Sequence, residues 1–166
     1  MDIQNAVNIS FFDSILNAIA DPVFVKDSNC QFIYANDALC KMLGMDRENI
    51  IGKTLGESLP QDQMTHFLEI DKMVLDTGQE NISEEKLTGK DKKILNIITK
   101  KTRYIDEKGD KFVVGIIHDD SDRKTAEEVV VKKINELEKM NKLMVDRELK
   151  MIELKKEIEL LTYQKN

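Results

Sequence analysis

His118 is followed at once by Asp119 and Asp120, with Asp122 two residues further on. An imidazole beside three carboxylates is a ligand set that a hard cation could use, and a histidine in such company also has the chemistry of a phosphoryl acceptor. A plainer explanation competes. Acidic side chains gather where a helix begins, because free backbone N–H groups and the positive end of the helix dipole favour them. That accounts for the cluster without an ion, so no metal site is expected. The other histidine, His66, lies in a stretch of helical periodicity, where a lone His is ordinarily a surface or core residue. Cys30 and Cys40 are too few for a disulfide framework and read as free thiols of a reducing compartment. No Ser/His/Asp set or paired-carboxylate arrangement stands out, and catalysis within this chain is not expected.

The elements around the acidic cluster explain its place. Before it runs Phe112-Val113-Val114-Gly115-Ile116-Ile117, short and β-branched enough for a buried strand. After it come more than forty residues without Gly or Pro, rich in Glu, Lys, Leu and Met, which read as one long helix. Asp119, Asp120, Ser121 and Arg123 thus sit at a joint between strand and helix. A state set upstream would be passed on through this joint.

Composition narrows the partners. The net charge is −6. The first 121 residues carry 14 basic against 21 acidic side chains, and the remainder 11 against 10. Neither part has the basic footprint of a nucleic-acid or anionic-membrane binder, so neither partner is expected. With 5% aromatics and no Trp, stacking platforms for single strands are also scarce. No run approaches a membrane span and the N-terminus lacks a signal-peptide pattern, so a cytoplasmic location is expected. A hydrophobic content of 41% supports a folded core.

Taken in order, Ile9, Phe12, Leu16 and Ile19 fall at helical spacing and predict an amphipathic helix over 8–20, ended by Asp21-Pro22. Val23 to Val25 and Phe32 to Ala35 are strands joined by the turn-forming Asp27-Ser28-Asn29-Cys30. Asn36 is an N-cap candidate and Gly44 a C-cap candidate for the helix between them. Residues 46–63 read as loop with short helical turns. A helix over 64–77 is expected to close at Gly78. Strands are expected at 81–87, 94–105 and 112–118. Leu95, Ile97, Thr99 and Lys101 share one face of the long middle strand. The result is an α+β fold, a five-stranded antiparallel sheet with helices on one face.

The punctuating residues, in this order, resemble a PAS domain, the sensor module of many bacterial and archaeal signalling proteins. They are Asp21-Pro22-Val23-Phe24-Val25-Lys26-Asp27, Phe32-Ile33-Tyr34-Ala35-Asn36, Leu43-Gly44-Met45, Ile51-Gly52-Lys53, Val74-Leu75-Asp76-Thr77-Gly78 and Asp119-Asp120-Ser121-Asp122-Arg123-Lys124. The likeness spans about residues 10–124. Cys30 stands where the family commonly has Gly, and Asp119-Asp120-Ser121 where it usually has Asp-Ile-Thr. Asp120 therefore replaces an apolar anchor with a charge and is expected to loosen the docking of the outgoing helix.

The resemblance implies a pocket between sheet and helices, with Ile33, Leu39, Phe67, Ile97 and Ile116 as candidate lining. It places His66 in the region where haem-binding relatives hold their iron ligand, yet nothing else of a haem pocket is visible. Asn29-Cys30-Gln31-Phe32 is superficially similar to the flavin-reactive motif of light-sensing relatives. Their Cys lies on a helix after the second strand, whereas residues 51–61 here contain none. Neither haem nor flavin is expected, and the cofactor is left unassigned. His118 lacks the Pro that follows the phospho-acceptor of histidine kinases, and ATP-binding motifs are absent.

In the C-terminal stretch a heptad runs through Val130, Lys133, Leu137, Met140, Met144, Arg147, Met151, Leu154, Ile158 and Leu161. Eight of these ten are apolar, which predicts a homodimeric coiled coil. The chain divides into an N-terminal helix over 1–20, a PAS-like core over 21–120 and a coiled-coil helix over 121–163. The functional expectation is a sensor or relay that binds a small ligand, or transmits a conformational signal, through the coil to a histidine kinase or other signalling partner. The alternatives are a ligand-free dimerisation module and the input fragment of a histidine kinase, for which a reading frame continuing past Asn166 would be diagnostic.

Overall fold

The computed structural model describes residues 3–54 and 59–163, with the side chains of residues 3–9, 159 and 161–163 left aside. Leu161 of the expected seam and Ile9 of the expected N-terminal stripe fall among those side chains. Two units are present, residues 1–121 and 122–166.

In the first unit, α1 (Ile3–Ala18) leads to β1 (Val23–Lys26), β2 (Phe32–Ala35), α2 (Asp37–Leu43), α3 (Arg47–Ile50) and α4 (Gln61–Thr77). Then follow β3 (Asn81–Thr88), β4 (Ile94–Ile105) and β5 (Lys111–Asp119). The five strands form one antiparallel sheet in the order β2-β1-β5-β4-β3. The chain thus builds one edge, crosses over through α2 to α4, builds the other edge, and returns β5 to the centre. The core lies between one sheet face and the helices, around Phe24, Phe32, Leu39, Ile50, Val74 and Ile97.

Local chemistry fixes the junctions. Asn36 caps α2, its Oδ1 accepting from the N–H of Leu39 (3.0 Å) and of Val23 (2.9 Å). Its amide nitrogen donates to the carbonyls of Leu16 (3.1 Å) and Asp21 (3.0 Å), so one buried side chain ties α1, β1 and α2 together. Gly44 closes α2 at φ 68° in the left-handed region. Arg103 on β4 donates to the carbonyls of Leu75 (2.9 Å) and Asp76 (3.2 Å), satisfying the free C-terminal end of α4. Gly115 pairs with Phe24 across β5 and β1, and any Cβ there would overlap the Phe24 ring. The missing side chain leaves room for the tip of the ring against the strand.

The N-terminal helix starts earlier than its periodicity indicated and ends at Ala18, three residues before Asp21, where Asp21-Pro22 frees the chain for β1. Its stripe is only partly covered, with Phe12 and Ile19 exposed and Leu16 half-buried. In the second unit, α5 (Ser121–Tyr163) is a single 43-residue helix. At 1.5 Å per residue it measures about 65 Å. Among the described residues no helix is long and apolar enough to cross a membrane.

Candidate functional site

A cavity of about 50 Å³ lies between the inner sheet face and the helices. Phe24, Phe32, Leu39, Leu87, Ile97 and Ile117 supply its apolar wall, and Met64, Phe67 and Leu68 of α4 stand on its other side. Leu39, Phe67 and Ile97 therefore come together as lining. Ile33 and Ile116 do not. They are 47% and 42% exposed on the opposite sheet face, and their neighbours Phe32 and Ile117 point inward in their stead. The period of two explains the exchange, since a shift of one residue turns a side chain to the other face.

Polar groups complete the lining. Lys26, Glu85, Thr99 and Lys101 all reach the cavity and all are buried. Asp71 of α4, fully buried, sits between the two ammonium groups. Lys26 Nζ donates to its Oδ2 at 2.5 Å, and Lys101 Nζ meets its Oδ1 at 2.7 Å as an ion pair outside hydrogen-bond geometry. Lys101 also donates to the Phe67 carbonyl at 3.4 Å, and Lys26 Nζ stands 4.4 Å from the centroid of the Phe32 ring. Burial pushes the Lys26 ammonium below the ordinary lysine range, against the pull of Asp71. Two cations share one anion here, and with Glu85 the formal charges of these four side chains sum to zero.

Glu85 is held at one oxygen only. Its Oε1 accepts from Ser83 Oγ at 2.9 Å and lies 3.5 Å from His66 Nε2. Its Oε2 and Thr99 Oγ1 are buried without a hydrogen-bond partner among the described residues. His66 itself has a 55% exposed side chain, pairs with Glu85, and is not part of the cavity lining. His66 is therefore not placed to ligate a haem held in this cavity.

The thiols are divided. Cys30 is buried at φ 61°, a left-handed backbone that favours glycine, and its burial raises the thiol pKa. Cys40 is half-buried on α2. At the joint, Asp119 Oδ1 accepts from the Ser121 N–H (3.0 Å), and Asp120 is buried with its N–H donating to the Asn96 carbonyl (2.8 Å). Ser121 Oγ accepts from the Asn96 N–H at 3.0 Å. Arg123 pairs with Glu127 along α5 at 2.5 Å. His118 lies 3.3 Å from Asp21. Among the described residues no group of three or more His, Cys, Asp or Glu is arranged to hold a metal ion. On α5 the seam residues Val130, Leu137, Met140, Met144, Met151, Leu154 and Ile158 are all exposed within one chain.

Sequence reasoning missed Lys26, Asp71, Glu85, Thr99 and Lys101 as site residues. A signal was present for four of them. Lys26 shares a strand face with Phe24, Thr99 and Lys101 share one with Ile97, and Asp71 falls in the helical stripe with Phe67, Val74 and Leu75.

Three comparisons bear on this arrangement. An uncharacterized protein of Sinorhizobium fredii, y4lL, is 35% identical over 119 residues, 70% of this chain and 14% of its own length. The chain thus spans about a seventh of that relative. VqmA of Vibrio cholerae, solved bound to DPO, is 26% identical with a TM-score of 0.58, covering 64% of this chain and 54% of the other. The same protein has been solved as a ligand–DNA complex, which removes the ground for excluding nucleic acid as a partner. A PAS domain from a two-component sensor histidine kinase shares the fold at 19% identity and a TM-score of 0.57, over 69% of this chain and 98% of that one. The PAS fold family matches residues 10–119, more than half of the chain, and with this strand order and its inner cavity the chain belongs to that family.

Proposed function

We propose that this chain is a sensory module that takes a small ligand between its sheet and α4 and relays the outcome along α5, paired with a second copy, to a signalling partner. The observation that carries the reading is a cavity whose apolar wall is interrupted by buried polar groups lacking partners on one side. A module that only dimerised would gain nothing from burying Lys26, Asp71, Glu85 and Lys101 there, since apolar residues of similar volume are equally stable or better. The likeness to VqmA bound to DPO supports a small ligand, and it raises a DNA-linked output beside the kinase-linked one.

Support for pairing through α5 comes from its exposed apolar seam over some seven heptad positions on a 43-residue helix. Native mass spectrometry of the full chain purified from cells, with an absorption spectrum, tests both parts. The expected result is a dimer carrying a small-molecule mass adduct. A bare monomer that also binds nothing from a cell extract would overturn the reading.

A further inference from the structure

The two unpartnered polar atoms in the cavity define what it would accept. Glu85 lines the cavity with a side chain 2% exposed, its Oε1 engaged by Ser83 and His66 and its Oε2 buried without a partner among the described residues. Ionised, it can only accept. Thr99 is 2% exposed, and its hydroxyl can donate or accept. The β3–β4 register sets Glu85 opposite Ile97 and Ser83 opposite Thr99, so the two groups are neighbours on one sheet face. Strand geometry puts Ile97 and Thr99 about 7 Å apart along β4.

Charge decides the rest. Lys26 and Lys101 are balanced by Asp71 and Glu85, and half-exposed His66 adds nothing to the buried sum while neutral. A guest of either charge would leave one buried charge without a counterion, which is expensive in this setting. Phe24, Phe32 and Phe67 suit a flat body. The 50 Å³ space has room for a few water-sized groups, so a ring would need the half-buried Met64 and Leu68 to turn outward.

Resting on the ligand-binding reading above, we propose that Glu85 and Thr99 make this cavity selective for small, flat, uncharged molecules with an amide-like edge. The guest's N–H donates to Glu85 Oε2, and the Thr99 hydroxyl donates to the guest's carbonyl. Lys26, Asp71 and Lys101 stay paired and set the neutrality requirement.

The test titrates the full chain with four probes and follows cavity amides by NMR. They are 2-pyridone, N-methyl-2-pyridone, which lacks the N–H, benzoate and benzene. The expected order places 2-pyridone roughly tenfold or more ahead of N-methyl-2-pyridone and benzoate. Glu85→Leu should bring 2-pyridone and N-methyl-2-pyridone to within about twofold of each other while benzene binding persists. If Glu85→Leu does not fold, Thr99→Val tests the other contact: it should weaken both pyridones by a similar factor, since each keeps the carbonyl that Thr99 serves, and leave benzene unchanged; unaltered pyridone affinities would overturn the Thr99 contact. Equal affinities for the two pyridones in the wild type, or preference for benzoate, overturn the selectivity while leaving a ligand-binding cavity in place. If no probe enters, benzene included, the ligand-binding reading falls and the selectivity with it.

Discussion

Lys101 on β4 reaches the carboxylate of Asp71 on α4 at 2.7 Å, and neither side chain keeps more than 2% of its surface exposed. The pair joins the sheet to the helix across the cavity, and Lys26 of β1 holds the other oxygen of the same carboxylate. Removing the anion leaves two buried ammonium groups facing each other. Asp71→Asn is expected to destabilise the fold by about 3–5 kcal/mol in urea denaturation. The triple change Lys26→Met, Asp71→Leu and Lys101→Met should restore most of that loss. A wild-type-like Asp71→Asn would show that the cluster is solvated.

Lys26 gives a pH signature whose sign is fixed by linkage. Its folded-state pKa lies below the ordinary lysine value because burial disfavours the charge. Between the two values the unfolded chain holds a proton that the folded chain has released, so this group makes stability rise with pH. Cys30 and Tyr34 are shifted upward by burial and act in the opposite sense at alkaline pH. Comparing wild type with Lys26→Met cancels them to first order. Wild type should gain on the variant as the pH rises towards the ordinary lysine pKa of about 10.4. A difference flat in pH would contradict the buried placement of this amine.

Position 30 asks for glycine-like backbone and fills it with a buried thiol. Cys30→Gly relieves the left-handed conformation but empties packed space, and the net change in stability is expected to stay within about 1 kcal/mol. Cys30→Val places a β-branched residue at positive φ and should cost about 2 kcal/mol or more. Thermal unfolding of the two variants decides between backbone and packing as the governing constraint. Near-equal losses would point to packing alone.

On α5 the heptad is interrupted at Lys133 and Arg147. In the proposed pairing of two copies, Arg147→Leu fills a seam position and should tighten the dimer roughly tenfold or more by analytical ultracentrifugation, since a buried Leu contributes about 1.5–3 kcal/mol. An unchanged dimer affinity would place position 147 outside the contact. A weakened dimer would assign the arginine a favourable role across the pair.

Much of the frame was legible because its signals are local. Asn36 and Gly44 announce the ends of α2, and β4 runs from Ile94 to Ile105 as its alternation indicated. The cavity was less legible, for two physical reasons. β2 and β5 each place apolar residues on both faces, Phe32 beside Ile33 and Ile116 beside Ile117, so alternation alone does not select the inner face. The charged residues were hidden differently. A lysine in a strand is read as solvent-facing because its burial is costly, and the partner that makes burial tolerable for Lys26 lies 45 residues away. Non-local compensation leaves no mark in a short window.

Phe24 forms part of the cavity wall, and the surface it rests on is bare main chain at Gly115. Most strands are screened from their surroundings by side chains that can hop between rotamers and absorb a push. Here that cushion is missing. A guest that displaced the Phe24 ring would bear directly on the backbone of β5, four residues before the strand ends at Asp119. At this one position the wall of the cavity and the strand that leads to α5 are the same piece of polypeptide.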